Sequence, residues 1–449
     1  LTGTRLIDRT ARRATAALVA GAVVLAGGCG DGAPGTADRV PVPDSPAALP
    51  AATAAPTPPA PPDPVSAVTA YPVSAAPAPT APAPPIPTAA PTPDPASSAD
   101  SSAESESWHF WLAFTGDLLS HTAVFRQAQA YGGGELDYDY RPMFELVREA
   151  VSDADLAICH LETPLSPDNR GLSGYPVFNA PADLAAAIVE VGYDGCSTAS
   201  NHSMDQGFSG IEDTLDVFDQ VGLGHAGMAR TALEAASPRL YPLDGATIGH
   251  LSYTYGLNGF VLPQDKPWAV NLNSAEDILR EARAAVDLGA DFVVLSIHWG
   301  AEHQVAPTPH QRALAEELLA GDEIDLIVGT HAHVVQPAER VGGNLVIYGL
   351  GNFLSNQSPE SCRSCPPEST DGVIMLVEVM GGESGELEVA AVSAVPTWVD
   401  RRTFAIVDVG AALAAGSSPE LTGQLEQSWA RTTTTLRSYG VDVMLAGQP

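Results

Sequence analysis

Ala199-Ser-Asn-His-Ser-Met-Asp205 and Gly329-Thr-His-Ala-His333 each set nitrogen and oxygen donors in a turn just past an apolar run. Three more apolar runs end in the same way, at Thr115-Gly-Asp117, His160-Leu-Glu162 and Ile297-His298. Open α/β sheets always end in polar turns, so one such end says little. Five on one chain, all with metal-competent side chains, point to a single centre at the C-terminal edge of a layered α/β domain.

The stretches around these ends alternate strand and helix. Phe110 to Phe114 reads as a strand delivering Asp117, and Leu156 to Cys159 as the next, delivering His160 and Glu162. Helical spacing follows over Pro142 to Val151, and Pro181 opens a helix through Glu190. Tyr193 to Thr198 is a strand that leads into Asn201 and His202. After Asp205, the residues Ile211, Leu215 and Phe218 share one helical face, closed by Gly222 and Gly224. Leu240 to Tyr253 reads as a hairpin about Asp244-Gly245, and Ser274 to Leu288 as a helix with Ile278, Ala282 and Ala285 inward. Phe292 to Ile297 is an uninterrupted apolar strand of the kind buried on both faces. Helix (about 310 to 320) and strand (324 to 328) then lead to His331 and His333. Beyond Leu345 to Tyr348 come antiparallel runs near 373 to 379, 387 to 392 and 404 to 409, then a last helix near 420 to 439. One domain over 108–449 with two facing sheets and helices outside fits both halves.

The chain has 449 residues, 45% hydrophobic and 17% charged, with 39 prolines that warn against folding throughout. Its net charge of −33, with Lys266 as the single lysine, disfavours nucleic acid and makes a divalent cation electrostatically welcome. Residues 1–29 read as a lipoprotein-type signal: Arg5, Arg9, Arg12 and Arg13, a short apolar stretch from Ala16 to Ala26, then Ala26-Gly-Gly-Cys29. That stretch is short for a membrane span, which needs about 20 residues. Plain secretion and an uncleaved anchor stay open beside lipidation of Cys29. Residues 30–107 are Ala, Pro, Ser, Thr and Val with Arg39 as the lone base, and they read as a disordered Pro/Ala-rich tether.

Of the other cysteines, Cys362 and Cys365 lie in a Pro/Ser-rich loop and suit a local disulfide outside the cytoplasm. Cys159 and Cys196 sit in apolar strands and read as core residues.

A divalent-metal hydrolase needs anionic and neutral ligands, an open position and an acid for the leaving group. Asp117 and Glu162 supply carboxylates, Asn201 an amide oxygen, and His298, His331 and His333 imidazoles. An extended His331-Ala-His333 points both rings the same way. His202 and Asp205 form a separate pair, in which the carboxylate fixes the ring's tautomer or instead caps the next helix.

With Ala154-Asp-Leu-Ala-Ile-Cys-His-Leu-Glu162, Ser296-Ile-His-Trp-Gly-Ala-Glu302, Val328-Gly-Thr-His-Ala-His-Val-Val-Gln336 and Tyr348-Gly-Leu-Gly-Asn-Phe353 in this order, the chain resembles the bacterial capsule-synthesis CapA family. These poly-γ-glutamate biosynthesis proteins are similar to calcineurin-like metallophosphoesterases. The resemblance implies a four-layer α-β-β-α sandwich, an extracytoplasmic place at the membrane, and one or two divalent ions (Mn, Fe or Zn). It implies that Asp117 ligates the first ion, Glu162 bridges, Asn201, His298 and His331 hold the second, His333 returns to the first, and His202 is the catalytic imidazole. The chain departs from the phosphoesterase pattern at Leu119, where a histidine is usual; His121 follows in the turn. Glu302, Gln336 and Asn352 stand at positions near such a site.

Two functions follow from the resemblance. One is a metal-dependent hydrolase or transferase cutting a phosphoester or a γ-glutamyl bond. The other is a non-catalytic subunit of a capsule synthesis and export complex that binds metal and polymer beside membrane partners. The acidic surface disfavours extensive wrapping by polyglutamate. A lipidated Cys29 predicts that Cys29→Ala releases the protein from the membrane fraction or blocks its processing. Unchanged lipid labelling of that variant refutes the anchor.

Overall fold

The strand His109–Leu118 is buried over most of its length and has neighbours on both edges. It runs parallel to Leu156–Leu161 on one side and antiparallel to Asp371–Gly381 on the other. The computed structural model describes residues 109–381 and 386–447; the signal at 1–29, with Cys29, and the tether at 30–107 lie outside the described residues.

Among the described residues, the first sheet runs in the order Ile406–Asp408, Leu387–Val399, Asp371–Gly381, His109–Leu118, Leu156–Leu161, Gly195–Ser197, Gly224–Ala226. Asn352–Leu354 adds on beside His109–Leu118. The second sheet runs Ala338–Val341, Asn344–Ile347, Leu326–Thr330, Phe292–His298, Thr247–Thr254, Arg239–Pro242, with four parallel strands inside and an antiparallel one at each edge.

The period of two along each strand sorts the side chains into layers. Phe110, Leu112, Phe114, Leu156 and Ile158 of the first sheet meet Phe292, Val294, Leu326 and Val328 of the second in one core. The alternate residues Ala113, Ala157, Cys159 and Leu161 face outward against Val124, Leu184, Ile188 and Phe218 on covering helices. On the other side Val293, Leu295 and Ile297 pack against Ile278, Ala282 and Ala285 of helix Ala275–Asp287 and Leu314 and Leu318 of helix Pro309–Leu318. The result is the four-layer α-β-β-α sandwich. Because the parallel strands of both sheets end at one rim, their terminal residues meet there.

Local chemistry sets the helix limits. Ser274 accepts from the Asp277 amide, and Thr308 with Gln311 forms a reciprocal capping box. Gly222, at φ 77°, closes helix Gly207–Val221. Two expectations are corrected. The helix over Pro142 to Val151 is broken into Arg141–Phe144, a 3-10 turn and Arg148–Ser152. Pro181 belongs to a two-residue strand, and the next helix starts at Asp183. The last helix, Pro419–Arg437, packs back through Leu425 and Leu436 and the ion pair of Arg431 with Asp371 at 2.7 Å.

Cys362 and Cys365 are joined, as their loop suggested. Cys159 and Cys196 are core residues as expected, and they are also joined to each other across paired strands, which the sequence reading did not foresee. No helix among the described residues is long and apolar enough to cross a membrane.

Glu281 shows how this packing answers to pH. It is half-buried on helix Ala275–Asp287 and accepts from the Tyr253 hydroxyl at 2.5 Å. Burial raises its pKa from 4.5 to about 7. The folded state therefore holds this proton more tightly than the unfolded one, and the Glu281 contribution to stability is lost as pH rises from 4.5 to about 7. Denaturant titrations at pH 5 and pH 8 are expected to show that loss in wild type and not in Glu281→Gln, a difference of about 2–3 kcal/mol. Parallel pH profiles for the two proteins refute it.

Candidate metal centre

The first sheet brings Asp117, His160 and Glu162 to the rim on adjacent strands, with Asp117 in register with His160. A register shift just before Asp117 turns it inward, and the preceding Gly116 has no room for a side chain, since a Cβ there would run into the Gly351 carbonyl. Asp117 N–H donates to that same carbonyl at 3.0 Å, which ties the Thr-Gly-Asp turn to the Gly351-Asn352 turn. The second sheet ends at His298 and at Thr330, after which the chain bends through His331 and His333.

The two sheets' residues converge. One oxygen or ring nitrogen from each of Asp117, His160, Glu162 and His298 lies within 4.8 Å of the others, and the same holds for Glu302, His331 and His333. The groups are linked: His333 Nδ1 lies 2.9 Å from Asp117 Oδ2 and its Nε2 lies 3.8 Å from Glu162 Oε1. His298 Nε2 stands 3.0 Å from Asn201 Oδ1 and 3.9 Å from Glu162 Oε1. All six residues expected as ligands are thus in one cluster.

Four buried atoms in this cluster have no hydrogen-bond partner: both oxygens of Glu162, Nε2 of His160 and Nδ1 of His331. Leaving one buried carboxylate bare is costly, and a bare carboxylate ringed by bare imidazole nitrogens is the donor set that fits a divalent cation. Charge follows the same pattern. Burial pushes the pKa of Glu162 well above its ordinary value. Burial also lowers His160 to about 4 and His331 to about 3, and drives His298 well below its ordinary range. These three rings are therefore neutral and free to ligate. His333 differs: burial opposes its charge, but Glu162 and Asp117 outweigh it and raise it to about 9. Burial likewise works against the Asp117 anion, yet the hydrogen bond and charge of His333 leave its pKa lowered.

One geometric expectation is wrong. His331-Ala-His333 is not extended; both histidines take the left-handed region, at φ 87° and 54°. The rings still reach one centre because the turn, and not strand alternation, aims them, with centroids 5.9 Å apart. Non-glycine residues in this region cost about 1–3 kcal/mol each and persist where the surroundings impose them. Here Asp117 accepts the His331 N–H at 3.3 Å, and Asn352 Nδ2 donates to the His333 carbonyl at 3.3 Å.

His202 sits beside the cluster. Its Nδ1 is 2.7 Å from Asp205 Oδ2, which also accepts the Phe178 N–H at 2.6 Å. The helix cap position belongs to Gln206, so Asp205 orients the ring and does not cap. His121 does not replace the histidine absent at Leu119: it joins neither ligand cluster, and its Nδ1 receives the Asn356 N–H at 3.2 Å.

Sequence reasoning gave His160 no ligand role and left Glu302 undecided, although both fall within the clusters. The signal for His160 was its place two residues before Glu162, on the same strand face. Tyr255, whose ring is tilted against His331 with centroids 4.4 Å apart, and Asn258, 3.3 Å from Asn201, carried no sequence signal.

The family model described as "Bacterial capsule synthesis protein PGA_cap" matches residues 111–357. The chain is 32% identical over 249 residues to the PGA biosynthesis protein CapA of Bacillus subtilis, covering 55% of this chain and 63% of that protein. It is 28% identical over 256 residues to the capsule biosynthesis protein CapA of Bacillus anthracis, covering 55% and 60%. The matches thus span less than two thirds of either relative. The crystal structure of the calcineurin-like phosphoesterase YfkN from Bacillus subtilis aligns with 73% of this chain and 98% of its own, at 14% identity and TM-score 0.36. Since the matching segment is over half of the 449 residues and contains every clustered side chain, this protein belongs to the PGA_cap family of bacterial capsule synthesis proteins.

Proposed function

We propose that the protein is a metal-dependent hydrolase or transferase of the cell envelope, acting on a γ-glutamyl or phosphoester bond during capsule polymer synthesis. The observation that carries this reading is the Glu162 carboxylate, buried with neither oxygen partnered and surrounded by neutral imidazoles. The names of the relatives support the polymer and the envelope; membrane partners and a lipid anchor at Cys29, ahead of the domain at 108–449, rest on the amino-acid sequence.

Asp117 and His333 would hold one ion and Asn201, His298 and His331 a second, with Glu162 available to both, and His160 Nε2 would be an added donor. A divalent ion of the Mn, Fe or Zn type held there supplies Lewis acidity to the bond being broken. His202 is the proton carrier. Because Asp205 accepts at Nδ1, that atom carries the hydrogen and Nε2 is left to exchange a proton with a leaving group. Asn258 Nδ2 lies 3.4 Å from Nε2 and 3.5 Å from Nδ1 and packs against the ring.

Purified protein is to be analysed for metal and assayed on a chromogenic phosphodiester and on γ-linked glutamyl oligomers. His331→Ala is expected to lose metal and turnover together. His202→Ala keeps its metal and loses about 10²–10⁴-fold in rate, the range of a general acid. Bound metal without turnover on either substrate moves the protein to the role of a binding subunit, and no metal after growth with Mn, Fe and Zn refutes the ligand set. Chelation offers a second check. Wild type is expected to melt lower after chelation and to recover with the ion, which adds about 2.7 kcal/mol at a hundred times its Kd. Glu162→Gln, with no bare anion to satisfy, is expected to respond to neither treatment.

A further inference from the structure

We propose that a cleft beside the Ser355-Asn356 turn, walled by Trp398, Arg401, Arg402, Gln424, Gln427 and Arg431, is a binding site for the carboxylates of a γ-linked glutamyl chain. The proposal rests on the polymer reading above and names where that polymer is gripped.

The cleft encloses about 480 Å³, within the range of about 300–1,000 Å³ typical of small-ligand sites. It gathers three guanidinium groups on a chain whose net charge is −33. Glu360, Asp400 and Glu420 also line it, so the cleft is locally near neutral where the rest of the surface is acidic. Two of the arginines are already matched: Arg431 pairs with Asp371 at 2.7 Å, and Arg402 lies 3.5 Å from Asp400.

Arg401 is the exception. It is half-buried, and among the described residues no carboxylate lies within ion-pair distance of it. Its hydrogen bonds go to neutral oxygens, the Ser355 carbonyl at 2.7 Å and Asn356 Oδ1, and its guanidinium lies 4.9 Å over the Phe404 ring. Burial lowers its pKa, although the charges of Glu360 and Asp400 nearby work the other way. A desolvated cation without an anion is costly, and a ligand carboxylate removes that cost.

The remaining walls fit the rest of a γ-glutamyl unit. Each unit carries one free carboxylate, one amide and a short methylene stem. Gln424 and Gln427 offer donors and acceptors to amides, and Trp398 offers an apolar wall to methylenes. A series of side-chain contacts connects the cleft wall with His202. Arg401 holds Asn356, whose N–H donates to His121 Nδ1 at 3.2 Å. The His121 ring lies 5.2 Å from Phe178, and Phe178 lies 4.7 Å from His202.

The test is binding of a labelled γ-linked glutamyl oligomer to the full chain, with the metal ion present and again after chelation. Wild type is expected to bind in both conditions, with inorganic phosphate failing to compete. Arg402→Glu and Gln427→Glu reverse or crowd the cleft without touching the metal cluster, and each is expected to weaken binding roughly tenfold at unchanged metal content. Arg401→Met is expected to do the same; because Arg401 also braces the 355–356 turn, its melting temperature is read beside its affinity. No binding by wild type, wild-type affinity in Arg402→Glu and Gln427→Glu, or displacement by phosphate overturns the subsite. None of these results bears on the metal content or turnover by which the metal-centre reading is judged, so the two can fail separately.

Discussion

Two carboxylates, Asp117 and Glu162, are held fully out of water within one cluster, with a single charged imidazole, His333, between them. Buried charge of one sign is tolerable only when opposite charge and lone-pair acceptors are placed against it. The first sheet provides the anions and His160, and the second provides His298, His331 and His333. The centre exists only while both sheets keep one alignment. That alignment is set far from the polar rim, by Phe110, Leu112 and Phe114 meeting Phe292 and Val294. Packing of apolar faces thus fixes distances among polar ends, and a close-packed core holds them to a fraction of an ångström.

Strain is concentrated at the same rim. His331 and His333 adopt backbone angles that such residues rarely take, and each is pinned by a polar partner from the other sheet, Asp117 and Asn352. The turn at Gly116 and Gly351 brings those partners in by allowing two backbones to touch. The strained turn and the glycine contact depend on each other, which explains why Thr-Gly-Asp, His-Ala-His and Gly-Asn stretches come as a set.

Much of this was legible in the sequence because it rests on period and composition. Uninterrupted apolar strands such as Phe292–His298 and the inward face of Ile278, Ala282 and Ala285 come directly from spacing, and polar residues just beyond them had to lie at a sheet edge. What spacing does not hold is the conformation of the turns. His331 and His333 reach the site through left-handed angles that no alternation rule contains, and Arg141 to Ser152 breaks at a 3-10 turn although its apolar pattern runs on. Pairing between strands is equally invisible. Cys159 meets Cys196 only because their strands are neighbours in register, and Asn258 reaches Asn201 only because its loop folds over the rim.

The histidines of the rim separate by what sits on their ring nitrogens. His298 has Thr330 Oγ1 at 3.1 Å on Nδ1, and His160 has Ser197 Oγ at 2.8 Å; a hydroxyl fixes the ring without adding charge, and burial then keeps it neutral. Such rings suit ligation, which needs a lone pair and no proton. His202 has a carboxylate in that place, Asp205 at 2.7 Å, which fixes the ring's orientation and tautomer. The second nitrogen's partner is thus a hydroxyl at His160 and His298 and a carboxylate at His202 and His333. The hydroxyl-supported rings lie at the strand ends, whereas the two carboxylate-supported rings lie on the turns that follow Ser200 and Thr330, where the chain is free of the sheet and a second side chain must hold the imidazole in place.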